Sequence, residues 1–400
     1  MSDSNTHETP PPWNVVGRHD VFPDAQHDEI ARFNFLTNMN IHLSQRILPG
    51  MRTAYDERAA KKFAEEHQHE PSNRGEMRKA MNAEPYYQTW SSLRRNTMEM
   101  RQQAGRSMVL RQLDKLNAKA KAFNDGAPTL QLDPAIEQPR YMSAVDIHCM
   151  PGSYHTALVE DDISAGANYD SGIFVTTGGM LGQYSDGGGR ALTDWLQSEH
   201  PDFKPKRILD LGCTIGHNAV PLGQAFPDAE VVAIDTAAPV LRYAHARAKS
   251  LGVDNVTFRQ ANAEQLDYED GSFDLVVTCM FLHELSSKAL PTILKEVKRL
   301  QAPGGLSIHI EQPQYTPEMD LFEQFMRDWD TYNNNEPFWG TMHDIDMYQT
   351  IADTGFNKDD IFTLKVAAKV DENIFPSAAA SDEGEDYGRK ALWNAYGVWK

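Results

Sequence analysis

The sequence predicts an α/β protein in which a helical addition precedes a parallel sheet. From Arg207 onward, short apolar segments alternate with segments of helical periodicity, which is the pattern of a parallel sheet. Before residue 126, apolar residues instead recur at helical spacing. With 400 residues, the chain exceeds what one hydrophobic core usually serves, so we expect one large domain plus a substantial addition.

Changes in composition divide the chain into five segments. Residues 1–27 are polar and contain three consecutive prolines, which predicts a mobile tail. Residues 28–125 form the helical N-terminal region. Residues 126–190 are irregular and rich in Gly, Tyr and His, which is typical of a lid or lead-in segment. The alternating pattern predicts a sheet domain over 191–370, followed by a C-terminal extension over 371–400.

Composition and charge argue against several classes of partner. The net charge is −19, and residues 131–400 carry 41 acidic but only 20 basic side chains, so a nucleic acid is a poor partner. No apolar run approaches the roughly 18 residues of a membrane helix. The N-terminus lacks the apolar core of a signal peptide, so we expect a cytoplasmic protein without membrane contact. Three cysteines do not suggest a disulfide framework.

The strongest local pattern starts the alternating region. A short apolar strand ends at Asp210, and Gly212 and Gly216 form a turn that leads into a helix. Glycines here let the backbone approach a ligand at the carboxyl end of the first strand. A second strand ends at Asp235, where a carboxylate can accept hydrogen bonds from both ribose hydroxyls of a nucleoside or cap the following helix.

The spacing of these glycines argues against a dinucleotide. Such a site needs Gly-x-Gly-x-x-Gly so that a pyrophosphate can lie on the helix N-terminus, and the segment from Gly212 to Gly216 lacks that spacing. Asp210 would also repel a diphosphate. A ligand with a positively charged sulfur and an amino-acid tail is compatible with the acidic residue.

Three further motifs follow in order. The first is a strand that leads to Asn262 and Ala263. The second is a strand followed by a loop that carries His283 and Glu284. The third is a Pro-Gly-Gly turn followed by a strand that ends at Glu311.

These five features, in this order, resemble the class I S-adenosylmethionine-dependent methyltransferases, especially the small-molecule enzymes of ubiquinone and menaquinone biosynthesis. The resemblance covers residues 185–312 firmly, extends weakly to 370 and excludes the first 130 residues. It implies a Rossmann-like fold with a mostly parallel seven-stranded sheet, and S-adenosylmethionine as the cofactor. Thr214 departs from the family pattern, which has a glycine there.

The resemblance also implies site residues. The residues expected to bind the cofactor are Asp210, Gly212, Gly216, Asp235, Asn262, Ala263 and Tyr184. Asn262 stands where the family usually has an aspartate near the adenine amino group, and Ala263 would offer a backbone donor. Tyr184 is the lead-in tyrosine expected to touch the cofactor, with Gly187–Gly189 as a hinge.

The catalytic candidates are His283, Glu284 and Glu311. In the family, the loop that carries His283 borders the methyl-transfer site, so this histidine could accept a proton. Glu284 could act in catalysis or stabilise the start of the following helix. Glu311 lies near its strand end and could meet the substrate, although a buried structural pair with His309 is the alternative.

No metal is expected, because His148, Cys149 and His155 fit no standard zinc spacing. The predicted acceptor is a small organic molecule, with residues 328–340 as one wall of its site. A protein methyltransferase that docks through its N-terminal helices and a non-catalytic cofactor-binding scaffold stay open. The helices and residues 140–190 could cover the acceptor or serve a homodimer.

Overall fold

The computed structural model describes residues 10–367, 369, 371, 373–374 and 392–400. These residues form one eight-stranded sheet with helices on both faces, and a set of N-terminal helices packed beside its carboxyl-terminal edge. Where the chain is described, no helix combines the length and the apolarity needed to span a bilayer.

The sheet is parallel except at one end. Its strands are β1 (Leu130–Gln131), β2 (Arg207–Leu211), β3 (Glu230–Asp235), β4 (Val256–Gln260), β5 (Phe273–Cys279), β6 (Gln301–Glu311), β7 (Ile361–Ala367) and β8 (Leu392–Trp399). Their order is β1-β4-β3-β2-β5-β6-β8-β7, and β8 runs antiparallel to both neighbours. Strands β2 and β3 are apolar and almost fully buried, as expected for strands covered by helices on both faces.

Two details of the expected sheet are wrong. The sheet has eight strands instead of seven, because Leu130 and Gln131 pair with Phe258 and Arg259 on the otherwise open edge of β4. The predicted C-terminal extension is also not separate from the domain. Its residues 392–399 form β8, which lies between β6 and β7 and supplies both with hydrogen-bonding partners.

The helices fall into an N-terminal group and a group that flanks the sheet. The first group is α1 (His27–His42), α2 (Gly50–Ala54), α3 (Ala60–His67), α4 (Arg74–Asn82), α5 (Pro85–Leu110) and α6 (Leu113–Asn124). The rest are α7 (Arg140–Ser143), α8 (Ser164–Thr177), α9 (Gly187–Glu199), α10 (Ala219–Ala225), α11 (Ala238–Ser250), α12 (Ala289–Leu300), α13 (Leu321–Arg327), α14 (Trp329–Asn333), α15 (Trp339–Asp344) and α16 (Met347–Asp353). Short 3₁₀ or π turns occur at Trp13–Val15, Leu43–Ile47, Tyr55–Ala59, Ile147–Cys149, Leu282–Glu284 and Lys358–Asp360.

The predicted mobile tail is packed against the protein over residues 10–27, and residues 1–9 lie outside the described part. Trp13 is fully buried, stacks on Phe33 at 4.7 Å between ring centroids, and donates a hydrogen bond from Nε1 to the carbonyl of Ser171 at 2.8 Å. Burial of a tryptophan whose N–H is also satisfied gives this segment a fixed position.

The lead-in segment contains the helices α7 and α8 and the start of α9, none of which the sequence predicted. Gly187–Gly189 forms the first turn of α9 instead of a hinge. A Cβ on Gly189 would lie 2.7 Å from the carbonyl oxygen of His217. Glycine is therefore needed here for close packing of two segments.

A buried polar network joins the N-terminal residues to the sheet domain. The carboxylate of Asp170 on α8 lies 3.0 Å from Nε2 of His19, accepts a hydrogen bond from the hydroxyl of Tyr243 at 2.8 Å, and lies 3.6 Å from Nε of Arg247. Burial alone would raise the pKa of Asp170, but His19 and Arg247 outweigh it and lower that pKa to about 2. The N-terminal segment, α8 and α11 are thus connected through one carboxylate.

Candidate functional site

A cavity of about 600 Å³ lies at the carboxyl ends of the parallel strands. One side, here called the sheet half, is formed by the loops after β2 to β5 and includes Gly212, Thr214, Asp235, Asn262, Ala263 and His283. The other side, the helical half, includes Ile41, Arg101, His148, Tyr154, Tyr169 and Glu336. The volume is within the range of small-molecule sites, and the position is where α/β sheets bind ligands.

The turn after β2 has the backbone conformation that its glycines suggest. Gly212 has φ = +70°, and a Cβ there would overlap the ring of Phe281. Thr214 has φ = +48°, a left-handed conformation that a glycine would adopt without strain. Gly216, with φ = +80°, turns the chain toward α10 and is not among the residues that line the cavity. Gly216 therefore has a conformational role in the turn, and its predicted contact with a ligand is not seen.

Asp235 lies at the end of β3, on the cavity wall. Its carboxylate accepts hydrogen bonds from the backbone N–H groups of Thr214 at 3.1 Å and Ala237 at 2.9 Å. Burial raises the pKa of Asp235 in spite of these bonds. Each oxygen keeps a second lone pair, so the carboxylate can still accept from a ligand. It also orders the turn after β2, a role that the sequence did not reveal.

Asp210 does not line the cavity. This side chain is 1% exposed and lies behind the turn, where burial and then the nearby Asp235 raise its pKa to about 7. The expected direct contact of Asp210 with a ligand is therefore not seen, because Asp210 lies within the buried strand β2, one residue before its end, and is packed inside the protein.

The loop after β4 places Asn262 and Ala263 on the wall of the sheet half. The side-chain oxygen of Asn262 accepts a hydrogen bond from the N–H of Glu264 at 3.0 Å, which stabilises the turn. We expected that oxygen to accept a hydrogen bond from the exocyclic amine of an adenine. Since one of its two lone pairs is already used, one lone pair is left for such a bond.

The expectation for Tyr184 is wrong. Its ring packs against Gly17, where a Cβ would overlap it, and it does not line the cavity. Two other tyrosines of the lead-in segment, Tyr154 and Tyr169, line the helical half and contact each other edge to face at 5.4 Å. The sequence could not distinguish the three, because the packing of α8 decides which ring faces inward.

His283 and Glu311 form a buried pair at the junction of the two halves. Nδ1 of His283 lies 2.6 Å from Oε1 of Glu311. The other oxygen of Glu311 accepts from the N–H groups of Leu282 and His283 at 2.9 and 3.2 Å. Burial lowers the pKa of His283, but Glu311 and the nearby carboxylates outweigh it and raise that pKa to about 10.

Only the histidine of this pair lines the cavity, and the expected contact of Glu311 with substrate is not seen. His309, the partner suggested for Glu311, instead contacts Thr278, with its Nδ1 at 2.9 Å from the hydroxyl.

A second cluster lies beside His283, where His148, Glu284 and Glu336 approach one another. Nε2 of His148 lies 3.2 Å from Oε1 of Glu336 and 3.6 Å from Oε1 of Glu284. Nδ1 of His148 lies 2.5 Å from the hydroxyl of Tyr154. The candidate ligand atoms of His148, Glu284 and Glu336 all lie within 4.8 Å of one another, close enough to hold one metal ion.

These three residues come from the lead-in segment, the loop after β5 and the segment after β6. The sequence drew attention to His148 and Glu284 separately and to the stretch that contains Glu336. It did not bring them together, because no local spacing relates residues so far apart in the chain.

Arg101 is an unpredicted member of the helical half. It is 4% exposed, and its Nε has no hydrogen-bond partner among the residues that the structure describes. Burial lowers its pKa, and its neighbours Tyr154, Tyr169 and Cys149 offset that effect only in part. A buried guanidinium without a carboxylate partner on the wall of a cavity is a candidate binding group for an anion. A single arginine within a long helix gives no sequence signal.

Comparisons with known proteins identify a methyltransferase domain in the part of the chain that contains the sheet half. Residues 208–305 match the family model described as a methyltransferase domain. The demethylmenaquinone methyltransferase of Geobacillus kaustophilus is 34% identical over 114 residues, 28% of this chain and 48% of the relative. That of Thermus thermophilus is 38% identical over 109 residues, 27% of this chain and 48% of the relative. The chain thus spans about half the length of these curated relatives.

Among solved structures, phosphoethanolamine N-methyltransferase 2 of Haemonchus contortus in complex with S-adenosyl-L-methionine is 17% identical. The match has a TM-score of 0.36 and covers 53% of this chain and 52% of that one. The segment that matches the methyltransferase-domain model, residues 208–305, contains β2 except for its first residue, β3 to β5, and every residue named above for the sheet half. The chain therefore carries a methyltransferase domain over residues 208–305, and this part is similar in sequence to the demethylmenaquinone methyltransferases.

Proposed function

We propose that this protein transfers the methyl group of S-adenosylmethionine to a small organic acceptor bound in the helical half of the cavity. The observation that carries the proposal is that one cavity joins the sheet half, where the cofactor motifs lie, to a wall built from distant parts of the same chain. Donor and acceptor would therefore meet inside the protein, away from bulk water.

When bound, the cofactor supplies a methyl group on a positively charged sulfur. In the transfer, a bond forms between the acceptor nucleophile and the methyl carbon while the carbon–sulfur bond breaks, and its electron pair stays on sulfur. The protein contributes mainly alignment and exclusion of water, and alignment can lower such a barrier by about 7–11 kcal/mol. The rigid strand ends of the sheet half are suited to that role.

In the sheet half, Asp235 would accept hydrogen bonds from the ribose hydroxyls through the lone pairs that its backbone partners leave unused. Asn262 and Ala263 would lie beside the adenine. At the junction, His283 and Glu284 would border the acceptor, and either could hold or move its proton. Glu311 would fix the orientation of His283 through Nδ1.

Arg101 indicates one property of the bound molecules. A guanidinium that is 4% exposed and faces the cavity would be stabilised by an anionic group. The α-carboxylate of the cofactor and a carboxylate or phenolate on the acceptor share this chemistry. We propose that one of them pairs with Arg101.

The cover over the cavity favours a small molecule over a protein as acceptor. Ile41 on α1, Ser44 beyond it and Met98 on α5 all line the cavity, so the N-terminal helices occupy the side from which a polypeptide would approach. A protein substrate docked on these helices is the second candidate, and a scaffold without turnover is the third. A homodimer and the absence of nucleic acid as a partner stay predictions.

The test is methyl transfer from labelled S-adenosylmethionine by the full chain, incubated separately with the metabolite fraction and the protein fraction of a cell extract. We expect label in a metabolite together with an equal amount of S-adenosylhomocysteine. Label in polypeptide alone would favour the protein methyltransferase. Binding of S-adenosylhomocysteine without any turnover in either fraction would favour the scaffold.

A further inference from the structure

We propose that His148, Glu284 and Glu336 form a binding site for a divalent transition-metal ion in the wall of the cavity, with His283 at its edge. The ion would lie in the helical half, where the acceptor is proposed to bind. The metal site itself does not depend on the proposed function, but the role given to it below does.

The distances between the candidate ligand atoms suit one ion. Nε2 of His148 is 3.2 and 3.6 Å from the nearer oxygens of Glu336 and Glu284. Two ligands that each lie about 2.0–2.2 Å from a metal are separated by about 3–4 Å, depending on the angle between them. Nε2 of His283 lies 3.9 Å from Glu284 and 3.8 Å from Glu336, so a small shift would make it a fourth ligand.

Both histidines are held in the orientation that metal ligands require. Nδ1 of His148 lies 2.5 Å from the hydroxyl of Tyr154, and Nδ1 of His283 lies 2.6 Å from Glu311. Each imidazole therefore directs Nε2 toward the two glutamates. A metal-bound histidine almost always uses its second nitrogen in this way, with a carboxylate, carbonyl or water as the partner.

A second observation points to a missing partner. Glu284 and Glu336 are 7% and 2% exposed, and within the described part of the chain Oε2 of each is buried without a hydrogen-bond partner. A buried carboxylate oxygen with no partner is costly, and native structures contain few of them. A cation bound by both oxygens of each carboxylate would give the two Oε2 atoms a partner. An ion-pair network with protonated histidines is the rival explanation; it places Nε2 of His283 at 3.8 Å from Oε2 of Glu336 but gives Oε2 of Glu284 no partner among the described residues.

The ligand types define the class of ion. Two carboxylates with one or two imidazole nitrogens form the kind of set that binds zinc, iron, manganese or cobalt, whereas magnesium and calcium prefer oxygen ligands alone. Three protein ligands leave a coordination position for another molecule. If the proposed function holds, that position would take an oxygen of the acceptor, since a divalent cation lowers the pKa of a bound hydroxyl.

The test is calorimetric titration of the full chain with ZnCl₂ after dialysis against a chelator, together with the absorption spectrum of the Co²⁺ form. We expect one ion per chain. Glu336→Gln, which removes a charged ligand, should weaken binding by more than about 100-fold, and Tyr154→Phe, which removes only the partner of Nδ1 of His148, by about 10–100-fold. The control is Glu76→Gln, which alters the exposed pair of His69 and Glu76 and should leave binding unchanged.

Each variant is also titrated with S-adenosylhomocysteine, which shows that it is folded and separates this inference from the proposed function. A wild-type chain that binds S-adenosylhomocysteine but no Zn²⁺ would overturn the metal site and leave the proposed function standing. Zn²⁺ binding that survives Glu336→Gln, or that is lost in Glu76→Gln, would also overturn it. Binding of Zn²⁺ without S-adenosylhomocysteine would uphold the site and count against methyl transfer.

Discussion

The two halves of the cavity are constructed in different ways. In the sheet half, the lining residues from Gly212 to His283 follow consecutive strands of one parallel sheet, and each lies at or just after a strand end. In the helical half, the lining residues range from Ile41 to Glu336 and belong to helices and loops that meet only in the folded protein. Local geometry therefore defines the first half, and long-range packing defines the second.

This difference separates the expected effects of substitutions. A change in the sheet half should act mainly on cofactor affinity, because strand ends are held by the whole sheet. A change in the helical half, or in the network that attaches it, should act on stability or on the acceptor. The five predictions below test this separation in order of decreasing effect.

The largest effect is expected at the connection between the halves. Asp170→Asn would leave Arg247, which is fully buried, without its nearby carboxylate. Removing one partner of a buried ion pair typically costs about 3–5 kcal/mol, so the free energy of unfolding should fall by that amount in urea denaturation. The control, Glu230→Gln in the exposed pair with Arg207, should change it by less than about 1 kcal/mol. Equal effects would refute the role of the network.

Asp210 should make the stability of the cofactor-free protein depend on pH. Its pKa is about 7 in the folded state and near 3.8 when unfolded, so the folded state binds more protons between these values. The free energy of unfolding should therefore fall as pH rises from 4 to 7. Asp210→Asn should lack this pH-dependent part of the free energy of unfolding. Each pKa unit corresponds to about 1.4 kcal/mol, so the difference between the two pKa values of Asp210 amounts to about 4 kcal/mol. Parallel pH profiles of the two proteins in denaturant titrations would contradict the prediction.

Arg101→Met should remove one guanidinium from the wall of the helical half with little change in side-chain volume. Loss of a charge-assisted hydrogen bond costs about 1.5–3 kcal/mol, which is roughly 10–150-fold in affinity. A weaker affinity for S-adenosylhomocysteine in calorimetry would show that Arg101 pairs with the carboxylate of the cofactor. An unchanged affinity with a raised KM for the identified acceptor would show that it pairs with the acceptor. No change in either quantity would exclude an anion at this position.

Asp235→Asn should weaken binding of S-adenosylhomocysteine at least about tenfold, because the charged acceptor for the ribose hydroxyls is lost. The fold should survive, since an amide oxygen can still accept one of the two backbone hydrogen bonds. Asp267→Asn, on an exposed side chain paired with Arg259, is the matched control and should bind normally. Normal binding by both variants would show that the cofactor does not lie on Asp235.

The smallest effect is expected at Thr214, whose φ of +48° is unfavourable for a residue with a Cβ. Thr214→Gly should raise the free energy of unfolding by up to about 1 kcal/mol, because a left-handed conformation costs roughly 1–2 kcal/mol in other residues and part of this is offset by chain entropy. Thermal denaturation of the two proteins checks the sign. A loss of stability would mean that the threonine side chain contributes more than its strain costs.

The outcome of sequence analysis follows the same division. Asp235, Asn262, Ala263 and His283 could be placed because a short apolar strand followed by a turn indicates where the strand ends. The errors came from residues whose position depends on packing. Tyr184 packs on Gly17 instead of the cavity, and Glu311 holds a loop instead of a substrate.

The sequence by itself determined the fold class and the order along the chain of the strands that carry the motifs, because each depends on patterns within a few dozen residues. Through the family that these motifs resemble, it also indicated the cofactor. Only the tertiary structure decided that Arg101, His148 and Glu336 share one cavity and that residues 10–27 and 392–400 are integral parts of the molecule. The physical reason is that side-chain packing and burial join residues without regard to their separation in the chain, and no local spacing records which surfaces will meet.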